Sequence, residues 1–199
     1  VQSNMDLIQQ LFMEYEILNN LNHPNIIKVY GFYNGDETND PAILLEYCRF
    51  NLEQVVKELD DIYLVGIIYE ISSAMQYVHA KKIIHRDLKM KNILINMKKH
   101  VKICDFGISK VMDLTTQTSM THGIGTIPFM APELFKIDSI YNEKVDVFAF
   151  GVVMFYILSK GRSPSYVVPG NYEQLTFPST INELSRSIIK KCLSSSADE

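Results

Sequence analysis

The pattern of apolar residues changes near residues 48–52, and this change constrains the fold more strongly than any other feature of the sequence. Before it, two strand-like apolar runs, Ile26–Phe32 and Ala42–Tyr47, are joined by a polar loop and predict a hairpin. After it, apolar residues recur mainly with helical spacing. The sequence therefore predicts an α+β fold in which residues 1–48 carry strands and residues 49–199 are mainly helical.

Several helices are predicted beyond this boundary. The apolar spacing over Leu64–His79 indicates a long and mostly buried helix. A second helix is expected over about residues 143–158, with Asn142 as its N-cap. Thr180 and Glu183 form a capping-box pattern, which predicts the start of a last helix.

One charged residue lies on the apolar face of the first predicted helix, over roughly residues 5–21. Four leucines share that face with Glu14: Leu7, Leu11, Leu18 and Leu21. A lone charge on a packed face is costly, so Glu14 is expected to meet a cationic partner across the interface. Alternatively, Glu14 lies at the edge of the face and is solvated.

Composition limits the possible functions. A net charge of −4 gives no electrostatic footprint for nucleic acid or an anionic membrane. The longest apolar run, Val147–Leu158, is too short to cross a bilayer, which takes about 20 residues, and predicts a buried helix. The three cysteines are scattered and suggest neither a metal site nor a disulfide framework, so a cytoplasmic, reducing location is expected.

Residues 85–92 read His-Arg-Asp-Leu-Lys-Met-Lys-Asn and carry the strongest chemical signal in the chain. Phosphoryl transfer needs a carboxylate that orients the attacking hydroxyl and oxygen ligands that hold Mg²⁺ on the phosphates. Asp87 suits the first task, Asn92 can supply a metal ligand, and Lys89 can neutralise the transferred phosphate. Taken alone, the segment is also compatible with a charged surface turn.

Two further motifs follow in a fixed order. Asp105-Phe106-Gly107 lies 13 residues after Asn92, and Gly125-Thr126 precedes Ala131-Pro132-Glu133. In this order the motifs resemble the catalytic loop, the metal-binding motif and the end of the activation segment of protein kinases. The resemblance implies a two-lobed fold with a β-rich small lobe and a helical large lobe, ATP and Mg²⁺ as cofactors, and Asp105 as a metal ligand beside Asn92.

The resemblance also assigns a nucleotide site. Leu45-Glu46-Tyr47-Cys48 is similar to the hinge between kinase lobes, where backbone groups of Glu46 and Cys48 would bond adenine. Leu94 would pack under the adenine, although core packing explains it equally well. In kinases the helix that carries Glu14 pairs this residue with a strand lysine that holds the α- and β-phosphates.

Regulation is expected to act through the activation segment. A phosphate on Ser119 or Thr121, added by an upstream kinase or by autophosphorylation, would pair with Arg86 and order the segment. By family resemblance, Thr126 would bond the catalytic loop. Asp146 would accept backbone N–H groups from the same loop, and Phe148 stands where the family usually has tryptophan.

Lys89 directly after Asp-Leu is typical of serine/threonine kinases, and residues 90–92 with the Phe-Met-Ala-Pro-Glu ending resemble the tyrosine-kinase-like group. The substrate would be a protein with Ser or Thr acceptors.

The chain lacks a glycine-rich loop and a strand lysine, so it is expected to be truncated at both ends and inactive alone. The alternative is a non-catalytic pseudokinase scaffold, against which the presence of Asp87, Asn92 and Asp105 argues.

Overall fold

A computed structural model describes residues 2–111, 129–135, 141–162 and 175–194 of the chain. It begins with helix α1, Gln2–Asn19, followed by strands β1, Val29–Tyr33, and β2, Ala42–Leu45. The two strands pair antiparallel, which confirms the predicted hairpin. Aromatic rings join helix and hairpin, because Phe12 and Tyr15 of α1 lie 5.4 and 5.3 Å from the ring of Phe32.

The predicted leucine face of α1 is buried only toward its C-terminal end. Leu18 and Leu21 belong to the core, whereas Leu7 is 61% exposed. The expectation of one continuous buried face is therefore wrong for Leu7. The helix contacts the hairpin through aromatic side chains instead.

A second sheet lies between the hairpin and the helical part of the chain. It contains β3, Phe50–Asn51, β5, Ile93–Ile95, and β6, Val101–Ile103, in the antiparallel order β3-β5-β6. Leu94 is directly opposite Lys102, so the two side chains share one face of the sheet. The flanking residues of β5 and β6 are buried on the other face.

The predicted strand Ile26–Phe32 begins three residues later than expected. Ile26 and Ile27 are buried, and this segment bonds to β6 rather than to β2. The N–H of Ile27 donates to the carbonyl of Ile103 at 2.9 Å, and the N–H of Ile103 donates to the carbonyl of Asn25 at 2.8 Å. These bonds connect the N-terminal part of the chain to the strand that precedes Asp105.

Two helices form most of the core of the helical part. Helix α3, Asp61–Ala80, follows the short helix α2, Leu52–Val55, and is capped by Asp60, which accepts from the N–H of Tyr63 at 2.8 Å. Helix α4, Lys144–Leu158, is buried around most of its circumference, which confirms the predicted core helix. Within the described ranges, no helix combines the length and apolar character that crossing a membrane requires.

The predicted start of α4 is correct to within one residue, whereas that of α5 is wrong. Asn142 makes the expected capping bond to α4, because its side-chain oxygen accepts from the N–H of Lys144 at 2.9 Å, while Glu143, directly before the helix, makes no side-chain cap bond. The last helix, α5, Glu183–Cys192, is capped by Asn182, which accepts from the N–H of Ser185 at 2.8 Å. The predicted capping box fails because Thr180 lies in a turn closed between Ile181 and Pro178.

Short elements complete the part that surrounds the site. Strand β4, Ile83–Ile84, pairs antiparallel with β7, Lys110–Val111. Single 3₁₀ turns cover Met90–Asn92 and Pro132–Phe135. Since β4 leads into residues 85–92 and β7 follows Asp105-Phe106-Gly107, this pairing holds the two sequence motifs side by side.

Candidate active site

The backbone of residues 85 and 86 is anchored to the core by one buried carboxylate. Asp146, on α4, is 1% exposed and accepts the N–H of His85 at 2.8 Å and the N–H of Arg86 at 2.9 Å. His79, at the end of α3, places its Nε2 2.8 Å from the same carboxylate. The predicted role of Asp146 is confirmed, whereas the sequence missed His79, which looked like one more residue of an apolar helix.

His85 links the segment 85–92 to the motif at residues 105–107. Its Nδ1 accepts from the N–H of Asp87 at 3.2 Å, so the ring proton lies on Nε2, which donates to the carbonyl of Cys104 at 3.1 Å. The ring also packs on Phe106, with 4.6 Å between centroids. A fully buried imidazole thereby fixes the distance between the two motifs.

Asp87, Lys89 and Asn92 form one polar cluster. The amide nitrogen of Asn92 donates to the carbonyl of Asp87 at 2.9 Å and to its Oδ2 at 3.0 Å. The ammonium of Lys89 contacts the same Oδ2. Because the side-chain nitrogen of Asn92 is bonded to Asp87, the side-chain oxygen of Asn92 is the atom suited to bind a cation. This arrangement excludes the charged surface turn, since Asp87 and Asn92 are both buried.

Asp105 lies beside this cluster with its carboxylate exposed, while Phe106 behind it is 1% exposed. The N–H of Cys104 donates to the carbonyl of Asn92 at 3.0 Å and joins the two segments. Asp105 and Arg86 both adopt left-handed backbone conformations, with φ of 67° and 68°. Such conformations cost about 1–3 kcal/mol each and cluster at functional sites.

The oxygen donors of the site fit magnesium. Mg²⁺ is usually held by one or two carboxylates together with substrate phosphates and water. Asp105 offers such a carboxylate, and Asn92 offers an amide oxygen. Among the described residues, no group of three or more His, Cys, Asp or Glu side chains is arranged to bind a metal ion.

Glu14 contacts the Asp105-Phe106-Gly107 motif directly. Its Oε1 accepts from the N–H of Phe106 at 3.1 Å, and a Cβ on Gly107 would lie only 3.2 Å from its Oε2. Burial and the nearby charge of Asp105 raise the pKa of Glu14, while the Phe106 N–H opposes the shift. The solvated-edge alternative is thus wrong. Gly107 makes room for this carboxylate, and its backbone is not left-handed.

Comparison with known sequences gives the same assignment. The sequence model of the protein kinase domain matches residues 1–198. The chain belongs to the protein kinase domain family. The motifs follow one another in the order expected from the family resemblance.

Several curated kinases are similar to this kinase domain. It is 37% identical over 160 residues to Serine/threonine-protein kinase RUNKEL of Arabidopsis thaliana, covering 78% of this chain and 11% of that protein. It is 35% identical to Mitogen-activated protein kinase kinase kinase dlk-1 of Caenorhabditis elegans, covering 91% of this chain and 20% of the relative. Aurora kinase B of Danio rerio is 33% identical, with coverages of 92% and 59%. The chain therefore spans only part of each relative.

The segment that resembles a kinase hinge connects the hairpin to the second sheet. The N–H of Glu46 donates to the carbonyl of Lys28 at 2.8 Å, which continues the pairing of the hairpin beyond β2. Cys48 and Leu94 are partly buried and pack against the same core. The carboxylate of Glu46 lies 2.8 Å from the ammonium of Lys102, a contact between residues 56 positions apart that the sequence did not reveal.

The predicted regulatory residues are only partly described. The guanidinium of Arg86 donates to the carbonyl of Ile108 and, at 3.1 Å, to the hydroxyl of Tyr141. It is therefore directed toward the start of the kinase activation segment. Ser119, Thr121 and Thr126 lie outside the described residues.

Proposed function

We propose that this chain is the catalytic part of an ATP-dependent protein kinase that phosphorylates serine and threonine. The observation that carries the proposal is the close approach of the segment that carries Asp87 and Asn92 to the segment that carries Asp105. His85 and the backbone bond between Cys104 and Asn92 hold these two segments together. A non-catalytic scaffold would not require this grouping.

Each residue of the cluster takes one task in the transfer. The Asp87 carboxylate orients the acceptor hydroxyl and accepts its proton as the hydroxyl oxygen bonds to the γ-phosphorus. The bond between that phosphorus and the β–γ bridging oxygen breaks, which leaves ADP. Lys89, which contacts Asp87, offsets negative charge on the moving phosphoryl group.

Nucleotide and metal bind around this cluster. Asn92 and Asp105 would hold Mg²⁺, which neutralises charge on the phosphates when bound. Adenine would meet backbone groups of Glu46 and Cys48 and lie over Leu94, between a small lobe that includes residues 1–48 and a large lobe over residues 49–199. The carboxylate of Glu14, bonded to Phe106, would pair with the strand lysine that holds the α- and β-phosphates.

The acceptor and the regulation follow from sequence and relatives. Lys89 is typical of serine/threonine kinases, and the relatives RUNKEL and dlk-1 are named as a serine/threonine-protein kinase and a kinase of the mitogen-activated cascade. Phosphorylation of Ser119 or Thr121 would add an anion that can pair with Arg86. Membership of the tyrosine-kinase-like group stays a prediction from residues 90–92 and 129–133.

The test is transfer of label from γ-labelled ATP to a random peptide library by the full-length protein, followed by phosphoamino-acid analysis. We expect labelled phosphoserine and phosphothreonine, with no label from an Asp87→Asn control. Mainly phosphotyrosine would show the acceptor to be wrong. Absence of transfer by the activated protein, with ATP bound, would reject the kinase assignment.

A further inference from the structure

Lys102 connects the strand that leads to Asp105 with the segment that resembles a hinge. It lies in β6, three residues before Asp105, on the sheet face that it shares with Leu94. Its ammonium is 2.8 Å from Oε2 of Glu46, and the two side chains are only 12% and 20% exposed. A pair as buried as this offsets its desolvation only when its geometry is good and further hydrogen bonds complete it.

Asn96 supplies the further hydrogen bond. Its side-chain nitrogen donates to Oε1 of Glu46 at 3.3 Å. Its side-chain oxygen accepts from the N–H groups of Lys98 and His100 at 3.0 and 2.9 Å, so the β5–β6 turn sets the direction of the amide. Asn96 thus holds Oε1 of Glu46 by a hydrogen bond, while Lys102 meets Oε2 as an ion pair; both groups lie on one hairpin.

Electrostatics keep this pair charged. Burial alone would raise the pKa of Glu46, but the hydrogen bonds from Lys102 and Asn96, with the charge of Lys102, hold that pKa below its usual value. At neutral pH the carboxylate is therefore ionised and the attraction to Lys102 persists.

The backbone of Glu46 is fixed as well. Its N–H donates to Lys28, so the residue is held through its main chain by the hairpin and through its side chain by the second sheet. Strand β6 is also bonded to Asn25 and Ile27. The sheet that carries Leu94 is consequently joined to the N-terminal part of the chain at two separate points, one at Glu46 in the hinge-like segment and the other at residues 25–27.

We infer that Lys102 is a positioning residue for ATP. Lys102 sets the distance between the hinge backbone and Leu94, and this distance determines how well the adenine ring fits. The inference rests on the proposed nucleotide site and extends it to a residue that touches neither adenine nor phosphate. Its consequence is selective: loss of the Lys102 ammonium should weaken recognition of the base and leave phosphate recognition and chemistry largely intact.

The test compares Lys102→Met with the parent full-length protein. Adenosine and tripolyphosphate affinities are measured by competition with a fluorescent nucleotide, and KM for ATP and kcat by steady-state kinetics. We expect the adenosine Kd and the KM to rise about tenfold, equivalent to about 1.4 kcal/mol, with kcat and tripolyphosphate Kd changing less than about twofold. The double variant Glu46→Lys/Lys102→Glu should recover adenosine affinity toward the parent value.

Lys160→Met is the matched control. Its ammonium also lies 2.8 Å from a carboxylate, that of Asp61, but that side chain is 88% exposed and the pair joins the start of α3 to the residues after α4. Exposed pairs contribute little, so adenosine affinity should not change.

Two results would overturn the inference. One is parent-like adenosine affinity in Lys102→Met; the other is an equal loss of adenosine and tripolyphosphate affinity, which indicates a general structural defect. If Lys102→Met does not fold, the charge-exchanged double variant decides, because folding without adenosine recovery contradicts the inference. Adenosine binding remains measurable in a protein that transfers no phosphate, so failure of the proposed kinase function is distinguishable from failure of this inference.

Discussion

Replacing Asp146 by Asn removes the charge that anchors the catalytic loop while preserving the size of the side chain. The carboxylate accepts three hydrogen bonds: Oδ2 from the N–H of His85 and from Nε2 of His79, and Oδ1 from the N–H of Arg86. An asparagine has only one accepting oxygen, so at least one of the three donors must face an amide N–H₂ group.

The cost can be worked out bond by bond. With the asparagine oxygen at the Oδ2 position, the N–H of Arg86 loses its acceptor, and a buried unsatisfied donor costs about 1–3 kcal/mol. The two remaining bonds lose their charged partner, which weakens each by about 1 kcal/mol. The sum is about 3–5 kcal/mol, a large part of the total stability of about 5–15 kcal/mol typical of a domain.

The free energy of unfolding is measured by urea denaturation of parent and Asp146→Asn proteins, and kcat at saturating ATP. Because Asp146 holds the two residues that precede Asp87, we expect kcat to fall by about 10²-fold, as for misplacement of a reacting group by 1 Å. Asp61→Asn, which breaks an exposed pair with Lys160, should cost less than about 1 kcal/mol. A loss in Asp146→Asn no larger than in this control would refute the reasoning.

Three other predictions follow from the site. Asp105→Asn should weaken Mg²⁺-dependent ATP binding, measured by titration with and without the metal, while metal-free binding of adenosine stays unchanged; equal losses in both would contradict a role in metal binding. Arg86→Ala, and replacement of Ser119 and Thr121 by Ala, should each leave a weakly active enzyme in a peptide assay, and full activity in either would reject the phosphate switch. Burial, followed by the charge of Asp105, raises the pKa of Cys104 to about 12. Its thiol should therefore stay protonated and resist iodoacetamide at pH 8 in the folded protein but not in urea, which mass spectrometry of the Cys104 peptide reports.

The sequence predicted the parts of the site that depend on short spacing. Asp87, Lys89 and Asn92 lie within six positions of one another, so all three belong to one loop and lie close together wherever that loop is placed in the fold. Asp105 follows a strand-like run that comes after the same loop in the sequence. The antiparallel pairing of this strand, β6, with β5 places Asp105 beside Asn92. The α+β class followed from the change of periodicity near residue 50.

Apart from the bonds of Asp146 to the backbone of residues 85 and 86, which the family resemblance implied, contacts between distant residues were beyond prediction from one sequence. Glu14 and Phe106 are 92 positions apart, and the bond between them satisfies a backbone donor that no side-chain pattern can reveal. The Glu46–Lys102 pair joins the segment after β2 to strand β6, and the relative position of the two is set by packing of the whole fold. The start of α5 was misassigned because Thr180 and Asn182, which can both cap a helix, lie close together there, and tertiary packing selects one of them.

The most direct test of the account is the turnover of Asp87→Asn in the full-length, activated protein. Asparagine keeps the shape of the side chain but cannot accept the proton of the acceptor hydroxyl, so kcat should fall by about 10²–10⁴-fold. The Kd for ATP, measured on the same samples, should remain near the parent value because Asp87 orients the acceptor rather than the nucleotide. Turnover close to that of the parent protein would contradict the assignment of Asp87 and, with it, the proposed mechanism.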